Sequence, residues 1–135
     1  MGKNTQQLAQ VEITSNIAHI NAKLKRSGRA SLSVDSQNSY LDRLTAVAII
    51  FSDIPGAEDV VKLCHDGLTT LFQKWPFEPE ETLEYIQLLH EQLTDTNSAQ
   101  KRLEVRNLLV LLNDIQKQRG IAELRKRRRV ADLHH

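Results

Sequence analysis

The sequence predicts an all-α fold: a single compact bundle of about five helices over residues 1–135, with the longest helix C-terminal and central. Three observations lead there. Apolar residues recur at three- and four-residue spacing in five separate runs, which gives each run one apolar face as a helix. Short stretches rich in Ser, Gly, Asn, Asp and Pro divide the runs. Aromatics make up only 4% of the chain while Leu, Ile, Val and Ala are abundant, a composition suited to helix packing rather than to sheets.

The first run predicts a helix at about 5–26, with Ile13, Ile17, Ile20 and Leu24 on one stripe and Leu8 and Ala9 supporting it. A Ser- and Gly-rich segment follows, which reads as a flexible basic loop near 25–36, with Asp35 or Ser36 as the expected N-cap of the next helix. That second helix covers about 37–53, with Tyr40, Leu44, Val47 and Phe51 inward and Leu41, Ala48 and Ile50 widening the stripe. Pro55 and Gly56 end it, because the residue before proline disfavours helix and glycine permits a reversal. A third helix at about 57–74 turns Val60, Val61, Cys64, Leu68, Leu71 and Phe72 inward, and Glu58 and Asp59 complement the dipole of its first turn. The fourth, about 79–94, opens on Pro79, Glu80 and Glu81 and carries Leu83, Ile86, Leu89 or His90, and Leu93. Ser98 caps the fifth, which begins near Ala99 and carries Leu103, Val105, Leu108, Leu109, Leu112 and Ile115. Val110 and Leu111 spread its apolar surface around most of the circumference, which predicts neighbours on several sides. Gly120 interrupts this last helix but need not end it, since the pattern resumes with Ile121, Leu124 and the basic run, and a basic C-terminal extension occupies 120–135.

Size and composition fit one globular domain. Cys64 is the only cysteine, so no internal disulfide forms and a reducing compartment is the natural setting. The N-terminus lacks the apolar core of a secretory signal, and the runs "AVAIIF" and "LLVLL" are far too short to span a bilayer. Gln6 stands where a myristoylation signal needs Ser or Thr. These readings predict a cytoplasmic protein, or a nuclear one in a eukaryote, with no membrane contact.

Few groups point to catalysis. The histidines His19, His65, His90, His134 and His135 have no metal-binding spacing, and adjacent Cys64 and His65 point about 100° apart on a helix. Cys64 reads as core. Glu78, Glu80, Glu81 and Glu84 read as dipole complementation and a solvated face, without calcium-loop spacing. No glycine-rich phosphate loop is present. The expectation is a protein that is not an enzyme and holds no cofactor or metal.

Charge is the informative feature. Net charge is +1, yet residues 1–34 carry +4, residues 35–104 carry −8 and residues 105–135 carry +5. Lys117, Arg119, Arg125, Lys126, Arg127, Arg128 and Arg129 place seven cations within thirteen residues, opposed only by Glu123. As a helix, Lys117, Arg125 and Arg128 share a face, with Arg127 and Arg129 elsewhere. Lys23, Lys25, Arg26 and Arg29 form a second group at the end of the first helix and in the loop after it. Cations at helix C-termini complement the dipole, and basic tails are commonly solvated. Five in succession exceed what the dipole needs. Such clusters bind phosphate by releasing counterions, without reading bases.

The leading expectation is therefore a non-enzymatic accessory or assembly subunit that contacts nucleic-acid backbone through these eleven residues, within a larger nucleoprotein complex. The alternative is a protein-interaction module (adaptor, chaperone or regulator) whose basic ends bind a partner or the acidic middle of another copy. "KRRRV" also has the character of a nuclear-import signal, and Ser31 after Arg29 that of a kinase site.

Overall fold

The computed structural model describes residues 2–75 and 79–133, and no strand occurs among them. Five helices follow one another: α1 (Gly2–Arg26), α2 (Val34–Phe51), α3 (Glu58–Lys74), α4 (Pro79–Asp95) and α5 (Ala99–Leu133). The side chains of Gln6, Leu8, Ala9, Glu78, Pro79, Glu123, His134 and His135 lie outside the described set. The all-α bundle and its long C-terminal helix are as the sequence predicts.

Local chemistry sets the helix ends. Ser33 caps α2, with its hydroxyl accepting from the Ser36 amide at 3.2 Å. The cap thus falls two residues before the expected Asp35, which instead occupies the first turn and complements the dipole. The loop after α1 narrows to residues 27–33, and several contacts hold it. Trp75 Nε1 donates to the Arg29 carbonyl at 2.8 Å, Gln37 Nε2 donates to the Leu32 carbonyl at 2.9 Å, and the Leu32 side chain is buried. After α2 the chain reverses at Gly56, whose φ of 82° lies in the left-handed region that glycine enters without a side-chain clash. Ser98 caps α5 as expected, its hydroxyl accepting from the Lys101 amide at 3.3 Å.

The packing centre is α3, which lies against α1, α2 and α5, while α5 in turn touches α2, α3 and α4. Ile17, Ile20 and Leu24 of α1, Leu44 and Ala48 of α2, Cys64, Leu68 and Leu71 of α3, and Val105, Leu108 and Leu112 of α5 meet in one apolar cluster. α1 and α3 come close at Gly67, where a Cβ would stand 2.3 Å from Asn21 Oδ1. The Asn21 amide uses that space to donate to the Leu63 carbonyl at 2.9 Å. On α4, Leu89 is buried and His90 exposed. Tyr85 meets Thr45 of α2 at 2.7 Å and sets its ring edge-on to Phe72.

Four residues expected inside face outward instead: Ile50, Leu83, Leu103 and Val110 are 53%, 60%, 49% and 58% exposed. Each belongs to a helix with more apolar residues than its packed side can hold, so the surplus turns to solvent. In α5 the surplus arises because neighbours cover one broad side and leave the other open.

Candidate nucleic-acid interface

The geometry of the basic segments follows from how the helices run. α1 and α3 run in the same direction, since Gln10 reaches Gly56 before α3 begins and Lys74, at its end, reaches the last turn of α1. α5 shares that direction. Its start meets α3 where His65 bonds Glu104, and its middle meets the beginning of α4 where Gln116 Nε2 donates to Thr82 Oγ1 at 3.1 Å. Because α4 starts only four residues after Trp75, Gln116 lies at the end of the bundle where α1 and α3 terminate. Both basic segments therefore leave from one end of the molecule. α3 packs against both α1 and α5.

At the end of α1, Lys74 Nζ donates to the carbonyls of Leu24, Lys25 and Ser27 at 2.8, 2.7 and 3.3 Å. A lysine from α3 thus caps α1, satisfying carbonyls left without partners at a helix end. Lys25, Arg26 and Arg29 are exposed above this fixed backbone. Lys23 is half-buried, with its ammonium 5.7 Å from the centre of the Tyr40 ring. Of this group, Lys23 has a partner within the fold.

The second segment is helical throughout. α5 passes Gly120 without a break, and no atom lies within 4 Å of where a Cβ would stand there. Ile115 is the last buried residue. From Gln116 to Leu133 the helix extends roughly 25 Å at about 1.5 Å per residue. Lys117, Arg125, Lys126, Arg127, Arg128 and Arg129 are exposed, and Arg119 is half-buried. Five consecutive cations at about 100° per residue encircle the helix. None of the seven forms an ion pair with a described side chain.

Other titratable groups sit in a different place. His65 Nε2 bonds Glu104, which is only 5% exposed, and this contact joins α3 to α5. The hydrogen bond to Glu104 raises the pKa of His65 above its usual 6.5 against the opposing effect of burial, and the charges of Glu104 and Asp66 add to the rise. Burial, with Glu104 nearby, pushes the Cys64 thiol up to about 12, so it stays protonated and packs as an apolar group. Burial likewise raises the Tyr85 phenol to about 12. No group of three or more metal-ligating side chains occurs among the described residues, and no described helix is long and apolar enough to cross a membrane. The Lys74 clamp and the His65–Glu104 contact carry no local sequence signal, because their partners lie about fifty and forty residues apart along the chain.

Comparison with protein families, with characterised proteins and with solved structures gives no match.

Proposed function

We propose that the protein is a non-enzymatic helical subunit that contacts nucleic-acid backbone through α5 beyond Gln116 and the basic end of α1, as an accessory or assembly component of a nucleoprotein complex. The observation that supports this reading is the unbroken extension of α5, which carries Arg125–Arg129 clear of the core with no described acid to neutralise them. Mutual repulsion of five neighbouring cations disfavours the free helix, and a phosphate backbone relieves it while releasing counterions. With cations on all sides and no exposed aromatic beside them, contact falls on phosphate rather than on stacked bases.

The test is a salt titration of binding to a labelled oligonucleotide of arbitrary sequence. Affinity falls log-linearly with salt, and replacing Arg125–Arg129 by uncharged glutamine (lysine included) lowers the slope by up to about 4.5, given about 0.9 per phosphate contact. Binding that is unchanged by this replacement refutes the reading. A second reading, a protein-interaction module, draws support from the exposed aliphatic residues of α5 at Leu103, Val110, Ile121 and Leu124.

A further inference from the structure

Two of the uncovered apolar features lie at opposite ends of the molecule. The first is a groove of 360 Å³ between α2 and α4, walled by Ala46, Ile49 and Ile50 on one side and Leu88 and Gln92 on the other, with Asp42 at its edge. Ile50 is 53% and Leu88 39% exposed. On α4, Glu84 stands four residues before Leu88, Glu91 three after and Asp95 seven after, so the three exposed acids share its face. No lysine or arginine occurs in α4. The groove therefore has an apolar floor and an acidic margin.

The second feature is the far part of α5. Ile121 and Leu124, three residues apart and on one face, are 44% and 60% exposed. Arg125 and Arg128 follow each of them by four residues and border the same face. Here an apolar ridge carries a basic margin, the counterpart of the groove in both shape and charge.

One molecule cannot join its own two features. Ile49 and Ile50 belong to the last turn of α2, and Leu88 and Gln92 to the second half of α4. The groove thus opens toward the ends of α2 and α4, whereas α5 leaves the bundle where α4 begins. Pairing of α5 with α5 would set arginine against arginine. We propose that the Ile121–Leu124 ridge of one copy docks in the α2–α4 groove of a second copy, with Arg125 and Arg128 against Glu84, Glu91 and Asp95. Such a contact joins unlike surfaces, so it propagates head to tail into a chain or closes into a ring. About two turns of helix make the contact, which places it among small, transient interfaces. It shares Arg125 and Arg128 with the proposed nucleic-acid contact but rests on the apolar ridge and groove rather than on that contact.

Sedimentation velocity of the nuclease-treated full chain tests this across a concentration series. The wild type forms larger species as concentration rises, and self-association weakens about tenfold or more at about 1 M salt, where charges are screened beyond about 3 Å. Leu124→Glu and Leu88→Glu each weaken it about tenfold or more, with unchanged helical circular dichroism because both positions are exposed. The decisive sample is an equimolar mixture of these two variants. One keeps an intact groove and the other an intact ridge, so the mixture forms a one-to-one dimer and nothing larger. A wild type that stays monomeric, association that disappears on nuclease treatment, a variant that assembles like the wild type, or a mixture that stays monomeric would each overturn the proposal. Oligonucleotide binding in the same samples reports separately on the nucleic-acid reading.

Discussion

The two halves of α5 share one helical backbone and owe it to different causes. From Ala99 to Ile115, Val105, Leu108, Leu112 and Ile115 are buried against three other helices. Beyond Ile115 no described side chain is buried. The first half is helical because packing rewards it. The second continues because a helix already nucleated needs only propagation, which Ala, Leu, Arg and Lys favour. One helix thus serves as core at one end and as a displayed rack of charge at the other.

Substituting leucine by alanine in each half gives the largest effect and the sharpest contrast. Leu108 is 1% exposed, so Leu108→Ala removes buried methyl groups and leaves a cavity, lowering unfolding free energy by about 2–5 kcal/mol in urea denaturation. Leu124→Ala shifts it by no more than about 0.5 kcal/mol. Equal costs at the two sites would mean that the extension packs against something and that the two halves of α5 do not differ.

The His65–Glu104 contact probes the packed half more gently. His65→Ala leaves the buried Glu104 without this partner and costs about 1–3 kcal/mol. Its pH dependence has a definite sign. Because the folded pKa is raised above 6.5, the contribution of protonated His65 is fully present below 6.5 and is lost as pH rises through the higher folded value. Urea midpoints of the wild type therefore decline over that window. The decline shrinks in His65→Ala, and an equal decline in both proteins would assign it to other groups.

Periodicity made much of the fold legible. Ile17, Ile20 and Leu24 are buried as their spacing required, and Cys64 is core. Of the four residues that periodicity misplaced, Leu103 and Val110 belong to a helix apolar on more than one side. Spacing defines an apolar stripe but not which stripe a neighbour covers; that depends on tertiary packing. Leu103, Val110 and Leu124 do recur at multiples of seven, a signal for a second, outward stripe. The basic segments were legible as residues, but their departure from one end of the bundle was not, since it follows from the shared direction of α1, α3 and α5. The loop after α1 shows the same limit, because its anchors at Trp75 and Lys74 lie far along the chain.

Gly120 offers the smallest and most local test of the difference between the halves. It lies past the last buried residue with open space around it, so alanine meets no clash and adds about 1 kcal/mol of helix propensity. That gain acts on the extension and not on the core. Amide exchange at residues 121–129 should slow about fivefold in Gly120→Ala, in proportion to about 1 kcal/mol, while the global urea midpoint stays where it is. Gly120→Pro acts in the opposite direction, removing an internal helix hydrogen bond and breaking α5 at the junction. If oligonucleotide affinity is unchanged in the proline variant, charge alone attracts the polyanion and the rigidity of the rack contributes nothing. A fall in affinity with all seven cations retained shows instead that the packed half serves the free one, by holding its arginines in register.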